Sequence, residues 1–268
     1  MSRHHDLNPL QRQAFQELIL AQMGLRLAGR DLPKLDRLIA HRVKARSLNN
    51  PDEYFRLLQN EGSAGQSAEW ARLAGELTVG ESFFFRDKGQ FALLRLRILP
   101  ELIARAAPTR TLRLWSAGCS SGEEPFSLAI LLDELLPRPE DWQLVILGTD
   151  LNSEALAKAR RARYSSWSFR QVEPALRDRY FERVGSEWEV RERFRRWVTF
   201  QPGNLVNGRE GGGATEMDLI VCRNVFIYFG QATVAAVLSR FEQALRPGGY
   251  LLTGHGELYG CPTGGLQT

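Results

Sequence analysis

The residues best suited to chemistry lie in the stretch LWSAGCSSGEEP, residues 114–125. An apolar run enters Gly118, three small residues follow, and after Gly122 two acids, Glu123 and Glu124, open a helical stretch. Small residues let the backbone approach a ligand closely, and a helix start offers free N–H groups. The dinucleotide pattern G-x-G-x-x-G is absent, because only Gly118 and Gly122 are present. Glu123 and Glu124 suit the positive end of a helix, but they would repel a pyrophosphate, which argues against NAD or ATP. A nucleoside joined to an amino acid, carrying an amine and a sulfonium and no phosphate, would welcome them. S-adenosylmethionine (SAM) is such a ligand. Asp150 ends another apolar run, where doubly wound sheets hold ribose hydroxyls. Asn204 and Leu205 offer an amide and an apolar side chain, suited to an adenine edge and face. Each feature alone also reads as an ordinary turn or cap; together they converge on one nucleoside.

These residues need elements to hold them. From residue 111 short apolar runs alternate with amphipathic ones: 111–118, 142–150 and 250–255 as strands, 217–229 starting as a strand, and 123–136, 153–164 and 231–245 as helices, with Ser153 as a helix cap and RPGG (246–249) as a turn. That alternation predicts βαβ units and a mainly parallel sheet. Residues 165–200 interrupt it with aromatic, arginine-rich segments, an expected small inserted β-subdomain. Residues 10–76 show helical periodicity and no strand signal, with a polar loop at 61–67. The expected division is a small all-α domain over 1–76, a linker to about residue 90, and an α/β domain over 77–268.

With 268 residues, 43% of them hydrophobic and 25% charged, the chain has the balance of a soluble globular protein. No apolar run approaches the ~20 residues of a membrane span, and the first residues lack an apolar signal core. Cys119, Cys222 and Cys261 are too few and too scattered for a disulfide framework, which fits a reducing cytoplasm. The four histidines suggest neither a catalytic dyad nor a metal site. Lys34, Arg37, His41 and Lys44 recur on one helical face, with Arg42 and Arg46 nearby, and residues 158–196 hold 12 Lys+Arg against 6 Asp+Glu. Such local patches suggest docking to an acidic protein partner rather than to nucleic acid. A monomer is the default expectation.

LTVGESFFFRD (77–87), WSAGCSSGEEPFSLA (115–129), GTD (148–150), GNLV (203–206), VCRNVFIYF (221–229) and RPGGYLLTGHGE (246–257) resemble, in order, the motifs of the CheR-type chemotaxis-receptor glutamate methyltransferases. The resemblance runs over roughly residues 10–258. It implies a Rossmann-like class I SAM-dependent methyltransferase sheet, a helical N-terminal domain that docks chemoreceptors, and transfer of methyl to receptor glutamates, leaving S-adenosylhomocysteine. It further implies that Gly80, Ser82, Arg86, Glu124, Asp150, Asn204, Leu205, Cys222 and Arg223 line the cofactor, with Glu124 preferred over Glu123, and that Arg86 and Tyr228 lie near the transferring methyl.

Gly80 and Ser82 depart from the Asn and Thr that family members often carry, and Gly80 gives up a side-chain hydrogen bond. Some relatives grip a receptor tether peptide with the inserted subdomain. The short Gly185-Ser186 turn here predicts none. Alternatives are a SAM-dependent methyltransferase acting on RNA or a small molecule, and a non-catalytic SAM-binding module.

Overall fold

The computed structural model describes residues 7–61, 67–78, 80–208 and 214–267, so most of the loop expected at 61–67 lies outside the described residues. The chain opens with α1 (Pro9–Met23), whose start is fixed by a capping box: Asn8 accepts from the Gln11 amide and the Gln11 side chain reaches back. Gly24, at φ +72°, closes the helix in the left-handed conformation. Then come α2 (Leu32–Ala45), α3 (Pro51–Asn60) and α4 (Ala68–Leu77). Phe15, Ile19, Leu35, Ile39, Tyr54, Leu58, Trp70 and Leu73 form their shared core.

A second helical run, α5 (Lys88–Leu93), passes through a wide turn at Leu94–Ile98 into α6 (Leu99–Ala106) and leads to the sheet. The α/β part then runs β1 (Thr111–Ala117), α7 (Glu123–Leu135), β2 (Gln143–Asp150) and α8 (Ser153–Arg161). Asn152, not Ser153, caps α8; its side chain accepts from the Glu154 and Ala155 amides at 3.0 and 3.1 Å.

The insert follows: β3 (Arg163–Tyr164), α9 (Pro174–Tyr180), β4 (Phe181–Val184), β5 (Glu187–Val190) and α10 (Glu192–Arg195). Its three strands form an antiparallel sheet in the order β3-β5-β4. These elements run from Arg163 to Arg195, and the arginine-rich segment after β5 is helical. The next strand, β6 (Val198–Pro202), joins the main sheet beside β2. β7 (Met217–Cys222), α11 (Gln231–Ala244) and β8 (Leu245–Thr253) complete the chain.

The main sheet is parallel throughout, in the order β6-β2-β1-β7-β8. The chain winds outward from β1 through β2 to β6, then restarts at β7 on the other side. Ligands bind at such a switch point, beyond the C-terminal strand ends. RPGG is no simple turn before β8. Leu245 pairs with Met217 and Tyr250 with Leu219, so residues 246–249 bulge out of the ladder. Arg246 anchors the bulge on Asp218 at 2.8 Å.

Candidate active site

A cleft of ≈ 230 Å³ opens beyond the ends of β1, β2, β6 and β7. Its floor is the loop after β1. Gly118 adopts φ +82°, where a Cβ would lie 2.4 Å from Val225 Cγ2. Gly122, at φ +92°, lets α7 begin against Ala159, Phe200 and Tyr164. The Tyr164 hydroxyl fastens this loop by donating to the Ser121 carbonyl at 2.8 Å. These two glycines are required by both conformation and space.

Two carboxylates face the cleft. Asp150 accepts from the Ser120 amide at 2.7 Å and the Asn152 amide at 2.8 Å. Burial pushes its pKa up against the pull of those amides. Glu124 accepts from the Ser116 hydroxyl at 2.7 Å and pairs with Arg223 at 3.1 Å. Burial again raises its pKa, opposed by the Arg223 charge. The Arg223 Nε and the Ser120 hydroxyl are buried and have no hydrogen-bond partner among the described residues. Unpaired buried donors are costly, so a polar ligand in the cleft has ready-made partners. Burial pushes the thiols of Cys119 and Cys222 well up, which makes them poor nucleophiles.

The segment that carries Arg86 is held tightly. Phe84 is sunk among Tyr164, Phe169 and Phe181, with ring centroids 4.8–5.0 Å apart, and its amide donates to the Ser168 carbonyl. The Phe85 amide donates to the Ser127 hydroxyl at 3.1 Å. Arg170 of the insert lies 3.6 Å over the Phe83 ring and bonds Glu81, while Arg86 donates to the Glu81 carbonyl at 2.8 Å. Phe85 (φ +55°) and Asp87 (φ +72°) flank Arg86 in the left-handed region. Each costs roughly 1–2 kcal/mol, and such strain collects at functional sites. Ser120 and Asn224, also on the cleft, share that conformation.

Tyr228 lines the same cleft. Burial raises its pKa, the Arg86 charge opposes this, and the phenol stays a proton donor at neutral pH. Its carbonyl accepts from the Arg26 amide at 2.9 Å. Here the helical domain meets the sheet domain, and Met23 and Leu25 line the cleft. Gly24 makes the approach possible, because a Cβ there would lie 2.6 Å from Val206 Cγ2.

A family profile described as the SAM-binding domain of CheR methyltransferase matches residues 80–261. The chain belongs to the CheR methyltransferase family. It is 33% identical over 248 residues to the chemotaxis protein methyltransferase of Escherichia coli K12, spanning 90% of this chain and 82% of that protein. It is 34% identical over 225 residues to a probable chemotaxis protein methyltransferase of Rhizobium etli, covering 82% of each. The probable biofilm formation methyltransferase WspC of Pseudomonas aeruginosa is 30% identical over 94% of this chain and 58% of its own length.

The chain is thus a SAM-dependent methyltransferase acting in chemotaxis-type signalling, and the CheR site can be checked residue by residue. Gly80, Ser82, Arg86, Gly118, Glu124, Asp150, Asn204, Leu205, Arg223 and Tyr228 all border the cleft. Three expectations need correction. Glu123 faces away, fully buried, with its carboxylate taken by the Ser121 and Ser168 hydroxyls at 2.7 and 3.0 Å. The Cys222 side chain lies in the core behind the cleft, beside Ile220 and Phe226. Arg42 is no docking residue: it is 6% exposed and bonds Glu69 through two nitrogens, at 2.6 and 2.8 Å.

Asn204 borders the cleft, but its amide donates to the Gln22 carbonyl and accepts from the Val206 amide, which ties the α1 end to the site. Sequence reasoning missed Met23, Leu25, Phe91, Leu151 and Asn152 on the cleft walls. Gly24 at the close of an amphipathic helix was the available signal for the first two.

The residues present fit SAM. Asp150 suits a ribose diol and Glu124 an amine. Arg223 suits a carboxylate, and Leu205 and Leu151 suit a flat base. Among the described residues no cluster of His, Cys, Asp or Glu could hold a metal ion.

Proposed function

We propose that this chain methylates glutamate side chains on the cytoplasmic helices of chemoreceptors, giving glutamate methyl esters. The observation that carries the reading is the pairing of a cofactor cleft with an unneutralised cationic face. Lys34, Arg37, His41 and Lys44 are all exposed on α2 and make no ion pair among the described residues. Arg46 is exposed too, although it sits 3.6 Å from Glu61. Arg26 and Arg30 extend this surface towards Tyr228. A helix rich in Glu and Gln is the complementary partner. Among the described residues no helix is long and apolar enough to cross a membrane, and the reading places the enzyme in the cytoplasm, beside the receptors' inner ends.

When bound, SAM supplies a methyl on a sulfonium and is left as S-adenosylhomocysteine. The protein need not supply a strong base. A glutamate side chain has an ordinary pKa of ~4.3 and is ionised at neutral pH. What it needs is alignment and exclusion of water. Arg86 orients the incoming carboxylate by a charged fork, and the Tyr228 hydroxyl donates one hydrogen bond to it. Phe83, at the cleft and covered by Arg170, shields the reacting atoms from water.

The β4–β5 turn is only Gly185-Ser186, with no loop to close over a peptide, so we assign no tether-peptide binding to the insert. Receptor C-terminal peptide binding at micromolar affinity would refute that assignment. For the main reading the test is peptide mapping by mass spectrometry of a receptor cytoplasmic fragment treated with enzyme and SAM. Methyl groups are expected on glutamate side chains alone. Modification of lysine, or of RNA in place of the receptor, would overturn the reading.

A further inference from the structure

The Gly254–Glu257 turn lies just outside the cleft, yet its atoms hold both walls. Glu257 Oε2 accepts from the Gly254 amide at 2.7 Å and the Asn224 amide at 3.1 Å, and Oε1 accepts from the Ile227 amide at 3.4 Å. Asn224 and Ile227 bound the short segment that delivers Tyr228. Asn224 itself sits at φ +59°, a conformation that needs holding. The carboxylate reaches these amides only because residue 254 is glycine: a Cβ there would lie 2.5 Å from Glu257 Oε2.

On the other side of the turn, His255 Nε2 lies 2.7 Å from Asp87 Oδ2. Asp87 follows Arg86 directly and sits 3.9 Å from Arg223. A further bond, from the Gln90 side chain to the Thr253 carbonyl at 2.7 Å, keeps the turn in register with the start of α5.

We propose that Glu257 is a positioning residue for Tyr228, and that His255 does the same for Arg86 through Asp87. The turn then sets the separation of the two side chains that meet the substrate carboxylate. The proposal rests on the placement of Arg86 and Tyr228 at the transfer site argued above. Its electrostatics agree: the Glu257 charge adds to burial in keeping the Tyr228 phenol protonated, and so available as a donor. A glutamine at 257 keeps one oxygen but turns an NH2 group onto amides that need an acceptor, so it cannot hold all three.

The test uses Glu257→Gln and His255→Ala, each made in the parent chain. The first is repeated in Tyr228→Phe and the second in Arg86→Ala. Methyl transfer to a receptor cytoplasmic fragment is measured alongside amide hydrogen exchange over residues 222–229. Glu257→Gln is expected to lower kcat by about 10–100-fold, the cost of a misplacement near 1 Å, with KM for the fragment little changed and exchange faster at Asn224 or Ile227, whichever amide then faces the NH2 group. In the Tyr228→Phe background the same change should cost less than about 3-fold, because residues acting through one another are not additive.

Equal losses in both backgrounds, or unchanged exchange, overturn the assignment of Glu257. If Tyr228→Phe alone matches the parent, the transfer-site reading fails and this proposal fails with it. His255 is 77% exposed, so its substitution spares the fold and keeps the test open should Glu257→Gln unfold. Its loss must vanish in Arg86→Ala; a loss that persists there overturns the His255 arm.

Discussion

Gly118→Ala perturbs the cleft floor in a way the structure lets one calculate. Two costs arise. An alanine at φ +82° occupies the left-handed region, at roughly 1–2 kcal/mol. Its methyl would also lie 2.4 Å from Val225 Cγ2 and 3.7 Å from Val225 Cβ. Relieving the first contact means displacing Val225, and overpacking of this kind costs roughly 1–3 kcal/mol. The sum, about 2–5 kcal/mol, corresponds to a melting midpoint lowered by about 4–20 °C for a domain of this size.

The two parts separate cleanly. Val225→Ala removes Cγ2 but keeps Cβ, which the new methyl meets at ordinary contact distance. In that background Gly118→Ala should cost only the backbone part, about half of the single-mutant loss. The assay is a thermal or denaturant melt of the four proteins in the cycle, with SAM affinity by calorimetry as a second readout. SAM binding should fall with Gly118→Ala and partly recover in the double variant. Full additivity of the two substitutions, or a melting midpoint for Gly118→Ala within about 1 °C of the parent, would refute the account of a loop shaped by glycine.

Other expectations follow from the same geometry. Glu124→Gln removes a charged acceptor bonded to Ser116 and Arg223. Calorimetry should show SAM binding weakened by about 10–100-fold, in line with a charge-assisted hydrogen bond, whereas Glu123→Gln should chiefly lower stability. Glu69→Ala strands the Arg42 guanidinium and the Tyr54 hydroxyl, both buried, and breaking such a pair costs about 3–5 kcal/mol by denaturant titration. Burial raises the Glu69 pKa, but hydrogen bonds from Arg42 and Tyr54 outweigh it and hold it below the usual value. Its stabilisation is therefore complete above the unfolded-state pKa of ~4.3 and fades as pH falls through the lower folded value, so parent and Glu69→Gln should converge in strong acid. Replacing Lys34, Arg37 and Lys44 together by Glu should raise KM for a receptor fragment at least about 10-fold, more at low salt, while SAM affinity is unchanged.

Much of the fold was legible because buried parallel strands read as unbroken apolar runs and their crossover helices as amphipathic ones. The loop after β1 was legible because its small residues and acids are contiguous. Neighbouring residues that share a type were harder. Glu123 and Glu124 are adjacent on one helical turn, and partners distant in sequence, Ser168 for Glu123 and Arg223 for Glu124, help to decide which faces the cleft.

Cys222 lies in a strand buried along its whole length, so alternation carried no information about its face. Arg42 was misread for a different reason. Its spacing from Leu35, Leu38 and Ile39 puts it on the buried stripe of α2, but its charge suggested the surface, and its partner Glu69 belongs to another helix. The contribution of Met23 and Leu25 to the cleft depends on packing between domains, which a local pattern does not encode.

The most direct test is transfer of labelled methyl from SAM to a purified receptor cytoplasmic fragment, read as methanol released by base. A methyl ester of a glutamate releases its label in base, whereas a methylated amine or RNA base does not. The account predicts base-labile label that disappears when the receptor's glutamates are replaced by alanine and falls sharply with Arg86→Ala. SAM binding without any base-labile label on receptor fragments would contradict it.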